Sequence, residues 1–385
     1  MSIAKINGCV IVPTYNNDKT LARILAEILS FVPPKSLIVI NDGSTDNTPK
    51  ILSELPFEVT IVSNEKNSGK GFSIKRGIQA AINLGFENAI TIDSDGQHFP
   101  SDLPKLINAA INNPGDVLMG TRNLEQPGVP QKSSFGNKFS NFWFKAETAI
   151  TLPDTQTGFR LYPLEPLKKL KLFTNKFELE IEIIVRLAWR NCRFIPINVQ
   201  VKYDPEERVS HFRPGRDFFR ISVLNSILFT IACLWIHPRN LILKFLQLVK
   251  NETVKPNESN LTKSLSLGFG VFMGIVPIWG FQLIVGIPLA VFFRMNKVLF
   301  FAAANISIPP MIPLIIYASY KLGHVFIGGS SEIFNMHELT LESISIDAEK
   351  YFLGATILAI LSFVIVTLLS FSALQFLKKN KKPVS

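Results

Sequence analysis

Two aspartates, Asp93 and Asp95, follow a predicted strand at Ala89–Ile92. Where a strand runs into a turn, residues two apart point to the same side, so these carboxylates can share one hard cation. Oxygen ligands suit Mg²⁺ or Mn²⁺ better than zinc, and such a cation neutralises a diphosphate as it leaves a donor. The spacing therefore predicts a divalent-metal site, with a solvated acidic turn as the alternative.

The elements that position these acids alternate along the chain up to about Tyr203. Short β-branched runs predict strands, and amphipathic segments between them predict helices. The strands are Cys9–Val12, Leu37–Ile40, Val59–Val62 and Ala89–Ile92, and the helices are Leu21–Phe31, Asp46–Leu55 and Gly71–Leu84. This alternation predicts an α/β fold with a mostly parallel sheet sandwiched by helices. Ligands bind such sheets at the carboxyl ends of strands, where Pro13, Asp42 and Asp93 fall.

The composition narrows the class of partner. The chain has 385 residues, enough for two domains, and a net charge of +10. A basic chain favours anionic partners such as a nucleotide diphosphate, a lipid phosphate or acidic membrane lipids. Nucleic acid is not expected, because the basic residues are dispersed and no recognition motif accompanies them.

Cysteine usage and the N-terminus predict a cytoplasmic first domain. Cys9, Cys192 and Cys233 show neither metal spacing nor a disulfide framework, which predicts reduced thiols. The segment Met1–Gly8 is too short and too polar to be a signal peptide.

A change of composition after Arg220 predicts a membrane-associated region. Ile221–Ile236 is apolar, and the arginines before it alternate with phenylalanines, as in a helix lying at a membrane surface. A buried core helix is the alternative. The polar stretch 238–263 predicts a linker, which gives domain boundaries of 1–212, 213–263 and 264–385.

Three apolar stretches follow: Ser264–Phe293, Val298–Tyr320 and Tyr351–Leu377. The last is uninterrupted and is the clearest predicted membrane span. The positive-inside rule places the basic flanks and the basic C-terminal tail in the cytoplasm, and the acidic loop 328–349 outside. Parity then requires one stretch not to cross, and the first, bent near Pro277–Gly280, is predicted to be a re-entrant hairpin.

The first half, from about Cys9 to Tyr203, resembles the family 2 glycosyltransferases of the GT-A (Rossmann-like) fold, in particular the branch that includes dolichol-phosphate mannose synthase. Several ordered motifs carry the resemblance, namely Pro13-Thr14-Tyr15-Asn16, Asn41-Asp42-Gly43-Ser44, Asp93-Ser94-Asp95-Gly96-Gln97-His98, Gly120-Thr121-Arg122 and Asp154 to Arg160. It implies that Pro13, Tyr15 and Asn16 contact the nucleotide and that Asp42 binds the nucleoside. It also implies that Asp93, Asp95 and Gln97 hold the metal. Asn17 stands where the family often has Glu.

Three basic residues are implied to meet phosphate. Lys70 lies in Asn67–Gly71, a stretch beside the nucleotide in this family, although a simple helix-starting turn explains it equally well. Arg122 could grip a phosphate with both arms of its guanidinium, and a surface salt bridge is the alternative. Arg208 aligns loosely with a segment that meets phosphate near the membrane.

Two acids are candidate catalytic bases. Asp154 matches the acidic loop beneath the acceptor, and it would be the base if the acceptor is a hydroxyl. If the acceptor is a phosphomonoester, the nucleophile is already ionised and Asp154 would position groups instead. Glu180 is the second candidate.

The stretch from Leu261 to about Gly329 resembles a bacterial membrane domain of uncharacterised function. Its glycines and prolines either allow close helix packing or shape a groove for a polyprenyl chain. The whole chain is thus expected to be a metal-dependent, inverting glycosyltransferase of the bacterial inner membrane, multi-pass, with its catalytic domain in the cytoplasm. Its expected partners are a nucleotide-sugar donor, a polyprenyl-phosphate or similar lipid-linked acceptor, and membrane lipids. The alternatives are transfer to a hydroxyl of a lipid or glycan, and a non-catalytic scaffold or lipid-moving protein with a relic transferase domain.

Overall fold

The computed structural model describes residues 2–123, 131–202, 213–278, 280–307, 311–328 and 348–380. The chain divides into two compact units, Met1–Pro238 and Arg239–Ser385.

A seven-stranded sheet forms the centre of the first unit. Its strands are β1 Gly8–Thr14, β2 Leu37–Asn41, β3 Thr60–Ser63, β4 Asn88–Thr91, β5 Val117–Arg122, β6 Arg160–Pro163 and β7 Phe194–Val199. They are ordered β3-β2-β1-β4-β6-β5-β7. Among these seven strands, β6 runs antiparallel to its neighbours β4 and β5, and the other pairs are parallel. The predicted mostly parallel sheet is confirmed.

Within the described part of the first unit, the α-helices around this sheet are α1 Leu21–Leu29, α2 Thr48–Ser53, α3 Lys70–Asn83, α4 Leu103–Asn112, α5 Gln131–Thr148, α6 Leu164–Lys168, α7 Leu179–Trp189 and α8 Pro214–Ile231. Alternate residues of β1 point to opposite faces of the sheet. Cys9 and Ile11 pack into a core that includes α3 and α7, while Val10 and Val12 pack into a second core with α1 and α4. Burial on both faces explains why these strands read as continuous apolar runs.

The carboxyl ends of β1, β2 and β4 share one edge of the sheet. Because β6 is antiparallel, it begins at this same edge, where Arg160 pairs with Thr91. The loop that precedes β6 therefore arrives beside the loop that follows β4. This arrangement brings the segment from Asp154 to Phe159 to the edge where Asp42 and Asp93 lie.

The described part of the second unit is helical. Helix α9, His237–Val254, begins at the end of the first unit and continues into the second, and it is followed by α10 Asn260–Ile275, α11 Gln282–Phe292, α12 Lys297–Ala304, α13 Ile312–Ile327 and α14 Ala348–Asn380. Among the residues that the structure describes, two helical segments are long and apolar enough to cross a membrane, Gly215–Val254 and Ala348–Phe376. The predicted span Tyr351–Leu377 falls within α14. The first apolar stretch breaks between Ile275 and Gln282, in the region where its proline and glycine predict a bend.

The stretch 238–263, which was predicted to be a linker, differs from that expectation because α9 occupies most of it. A π-helical turn at Ala232–Ile236 precedes Pro238. Its wider backbone gives the proline ring room that an ideal α-helix would not provide. Lys263 is also buried, and its ammonium donates hydrogen bonds to the carbonyls of Thr253 and Lys255 at 2.9 and 2.6 Å. These bonds satisfy carbonyls at the end of α9. The polar composition of this stretch does not by itself predict that Lys263 caps the helix.

Candidate active site

Asp42 joins the end of β2 to the loop that begins α3. Its Oδ1 accepts hydrogen bonds from the Ser68 amide at 2.9 Å and the Asn64 side chain at 2.6 Å. Its Oδ2 accepts from the Gly69 amide at 2.7 Å, and Gly69 has φ +106°, a conformation that favours glycine. Asp42 is buried and therefore fixes the shape of the loop that carries Lys70.

Lys70 lies between two acids from different elements. Its Nζ is 2.8 and 2.9 Å from the two carboxylate oxygens of Asp93, and 3.0 Å from Oε2 of Glu180. The three side chains retain 19, 24 and 13 % of their exposure, so the cluster is largely withdrawn from water. It brings together three predicted site residues from α3, the loop after β4 and α7.

The charges of this cluster stabilise one another. Burial by itself lowers the pKa of Lys70, but Asp93 and Glu180 outweigh it and hold that pKa above its usual range. Burial likewise raises the pKa of Asp93, but the charge and hydrogen bond of Lys70 hold that pKa below its ordinary value. Lys70 and Asp93 are therefore both ionised at neutral pH.

A glycine permits Asp93 to lie against the loop before β6. A β-carbon at Gly158 would overlap the Asp93 carboxylate, so only glycine fits there without a shift. The Thr91 hydroxyl donates a 3.0 Å hydrogen bond to the Gly158 carbonyl, which holds the two loops together. Arg160 is buried beneath them, and its guanidinium donates to the carbonyls of Thr155 and Glu180 at 3.0 and 2.7 Å.

Asp154 and Arg122 form a two-armed ion pair. The Arg122 Nε and Nη2 are 2.6 and 3.0 Å from the two carboxylate oxygens of Asp154, which is fully buried. The Asn137 side chain and the Gln156 amide also donate to Oδ1, at 2.6 and 3.0 Å. Asp154 thus holds the guanidinium that was predicted to grip a phosphate, and its own oxygens are engaged by donors.

Buried side chains and hydrogen bonds stabilise the turn after β4. Asn17, which stands at the position where Glu is frequent, donates from its side chain to the carbonyl of Ser94 at 2.6 Å. The carboxylate of Asp95 accepts the Gln97 amide at 3.0 Å. His98 is buried, with its ring 5.6 Å from that of Phe159, and burial lowers its pKa to about 4, so the imidazole is neutral at physiological pH.

The donor chemistry of this turn fits a hard cation. The side-chain amide nitrogen of Gln97 is buried and has no hydrogen-bond partner among the described residues. Turning the amide by 180° puts its oxygen at that place, and oxygen donors from Gln97, Asp95 and Asp93 are those that Mg²⁺ and Mn²⁺ prefer. Within the described part of the chain, no group of three or more His, Cys, Asp or Glu side chains is arranged to hold a metal ion. The fit therefore depends on the glutamine, and on Lys70 releasing Asp93.

The first-strand motif shapes the neighbouring loop. Asn16 has φ +43°, and its Oδ1 accepts the Thr45 amide at 2.8 Å while its own amide donates to the Ser44 hydroxyl at 2.9 Å. Pro13 is buried within β1 and Tyr15 is partly buried after it. These contacts place the motif beside the Asn41-Asp42-Gly43-Ser44 turn; contact with a nucleotide stays a prediction.

Several features of the candidate site were not predicted from the sequence. The pairing of Lys70 with Asp93 and Glu180 brings together three separate elements. Asn137 and Arg160 contact residues 17 and 20 positions further along the chain. Arg160 lay within a recognised motif, and an arginine preceding an apolar run was the available signal. Arg208 lies outside the described residues.

Comparison with known proteins identifies both parts of the chain. Residues 9–171 match the model of glycosyl transferase family 2, and residues 248–382 match that of an uncharacterized protein family conserved in bacteria, DUF2062. An uncharacterized protein of Methanocaldococcus jannaschii is 30 % identical over 207 residues, which cover 51 % of this chain and 88 % of the relative.

Two further relatives have named activities. The UDP-N-acetylglucosamine–dolichyl-phosphate N-acetylglucosaminyltransferase of Methanococcus voltae is 27 % identical over 239 residues, 56 % of this chain and 94 % of the relative. The polyprenol monophosphomannose synthase of Mycolicibacterium smegmatis is 27 % identical over 210 residues, 51 % of this chain and 77 % of the relative. The predicted resemblance is confirmed in both halves: the chain belongs to glycosyl transferase family 2 and carries a DUF2062 domain toward its C-terminus.

Proposed function

We propose that this protein transfers a sugar, with inversion, from a nucleotide-diphosphate donor to a polyprenyl phosphate at a membrane. The names of the Methanococcus voltae and Mycolicibacterium smegmatis relatives support this class of acceptor. The observation that carries the proposal is that both candidate bases are paired with cations, Asp154 with Arg122 and Glu180 with Lys70. An acceptor that is already ionised requires no base, whereas a hydroxyl does.

In the proposed reaction an oxygen of the acceptor phosphate attacks the anomeric carbon from the face opposite the diphosphate. The new carbon–oxygen bond forms as the bond to the diphosphate breaks, and the nucleoside diphosphate departs. Asp42 and the Asn16 loop position the nucleoside. Arg122, whose Nε and Nη2 are held by Asp154, supplies a cation at a fixed place and not a two-armed grip on the phosphate. Asp93, Asp95 and Gln97 would hold Mg²⁺ or Mn²⁺, which neutralises diphosphate charge when bound.

We infer that the enzyme works at the bacterial inner membrane, with the family 2 domain in the cytoplasm. Two candidate membrane helices and a family conserved in bacteria support this location. The chain's surplus of basic residues, +10 overall, favours the anionic cytoplasmic leaflet. A multi-pass arrangement through Gly215–Val254 and the helices of the second unit is part of the same proposal.

The test uses the purified full chain in detergent with a panel of labelled UDP- and GDP-sugars. Each donor is offered with a polyprenyl phosphate or with the matching polyprenol, and label is counted in the extracted lipid. We expect transfer to the phosphate only, with Asp95→Asn as the inactive control. Transfer to the polyprenol alone would favour the hydroxyl acceptor. If no nucleotide-sugar binds, either with or without Mn²⁺, the result would favour a non-catalytic protein.

A further inference from the structure

The Lys70 ammonium occupies a position that competes with a metal ion. Both carboxylate oxygens of Asp93 lie within 2.9 Å of its Nζ. A divalent cation that takes Asp93 as a ligand must share this carboxylate with Lys70 or displace it. Two cations so close repel each other strongly in a site that is largely withdrawn from water.

A second acid, Glu180, can keep the Lys70 ammonium paired when its ion pair with Asp93 breaks. Oε2 of Glu180 is 3.0 Å from the same nitrogen. Glu180 itself is anchored, since its backbone carbonyl accepts a 2.7 Å hydrogen bond from buried Arg160. Release of Asp93 therefore leaves the ammonium paired with one carboxylate rather than isolated.

The loop that carries Lys70 is tied to the proposed nucleoside site. Gly69, the residue before Lys70, donates its amide to Asp42 at 2.7 Å. A nucleotide that binds Asp42 would alter the hydrogen bond between Asp42 and the Gly69 amide, which is adjacent to Lys70. The diphosphate of the nucleotide also supplies an anion that can attract the Lys70 ammonium once it leaves Asp93.

We propose that Lys70 is an internal counter-cation that neutralises Asp93 until the donor arrives. This inference depends on the proposed function. In the protein without nucleotide, Lys70 keeps the affinity for Mg²⁺ or Mn²⁺ low. When the nucleotide diphosphate binds, Lys70 turns to the diphosphate and Glu180, and Asp93 becomes available to the metal. Lys70 is thus a positioning residue that couples metal entry to donor entry.

The test measures Mn²⁺ binding to the nucleotide-free full chain by loss of the free-ion electron paramagnetic resonance signal. Removing the ammonium in Lys70→Met should tighten Mn²⁺ binding at least about tenfold, the effect of losing one competing charge-assisted pair. Lys70→Arg, which keeps the charge, should stay near the wild-type affinity. Lys75→Met is the matched control, because this lysine on the same helix contacts Asn175 and should leave binding unchanged.

Two further measurements keep the result decisive. Lys70→Gln provides a polar alternative if the methionine variant unfolds, and added Mn²⁺ should raise its melting temperature more than that of the wild type. Glu180→Gln leaves Lys70 with Asp93 alone, so its Mn²⁺ affinity should not exceed the wild-type value.

Unchanged Mn²⁺ affinity in folded Lys70→Met and Lys70→Gln would overturn the inference. Wild-type protein that then still binds Mn²⁺ together with UDP or GDP would leave the proposed function intact. Absence of Mn²⁺ binding in every variant, with or without these nucleotides, would overturn both the inference and the metal-dependent chemistry.

Discussion

The acids of the candidate site differ in what surrounds them, and this difference indicates which of them can change partner. Asp42 accepts from backbone amides, Asp154 from a guanidinium and an amide, and Asp93 from an ammonium. Backbone and guanidinium partners fix a carboxylate, whereas a lysine on a flexible stem can change partner. Asp93 and Glu180, which share the Lys70 ammonium, are therefore the acids whose pairing can change.

Glu147 on α5 offers a pH test outside the site. It is fully buried, neither carboxylate oxygen has a hydrogen-bond partner among the described residues, and burial raises its pKa to about 8. The folded state keeps this proton between about pH 4.5 and pH 8 while the unfolded state releases it, so this residue's contribution to stability falls as the pH rises across that window.

We expect Glu147→Gln to remove this dependence and to stabilise the protein at pH 8 relative to pH 5 by about 2–4 kcal/mol. Denaturant unfolding at the two pH values measures the difference. Glu54→Gln, at an exposed position, is the control and should behave alike at both. Equal effects of Glu147→Gln at pH 5 and pH 8 would show that the carboxyl group is ionised throughout.

At the scale of elements, the site depends on one antiparallel strand in a parallel sheet. Since β6 starts where β4 ends, the loop from Asp154 to Phe159 lies against the turn that carries Asp93. Alternation of strands and helices predicted the parallel part, because each buried strand is an apolar run. The reversal at β6 was not predicted, since strand direction depends on pairing with distant residues.

The contact at Gly158 gives the element-scale prediction. In Gly158→Ala the added methyl group overlaps the Asp93 carboxylate and should push it away from Lys70. We expect kcat/KM to fall at least about tenfold, because small misplacements of catalytic groups are costly. Transfer assays with the preferred donor measure the loss. Gly215→Ala is the control, because its β-carbon meets open space; equal activity of the two variants would contradict the expected role of the contact.

At the scale of the whole molecule, the described site residues belong to the first unit, Met1–Pro238. This unit has two apolar cores of its own, one on each face of the sheet. The sequence predicted the boundaries of β1 to β4 within about two residues, because buried β-branched runs end at turn residues. It did not predict α9 or the cluster around Lys70. The polarity and charge of a residue do not indicate which distant residue its side chain will contact.

A chain truncated after Pro238 should therefore fold and bind its nucleotide in detergent. Apolar side chains of α8 remain exposed, including Phe219 and Ile227, so detergent is required. Calorimetry with UDP and GDP against the full chain provides the comparison, and similar dissociation constants are expected. Loss of the cooperative unfolding transition would mean that the first unit needs the second.

The pairing of β5 with β6 has a consequence for how substrate preference can diversify. Met119 faces Arg160 across these strands, so the intervening segment leaves and re-enters the sheet at neighbouring positions. Strands β1 to β4 and helix α3 precede this excursion entirely, and with them Asp42 after β2, Lys70 at the start of α3 and Asp93 after β4. Exchanging it between homologous enzymes would alter the surroundings of Arg122 and Asp154 while preserving the framework that we propose recognises the donor. Recombination of this segment is thus a route by which one scaffold acquires new acceptors.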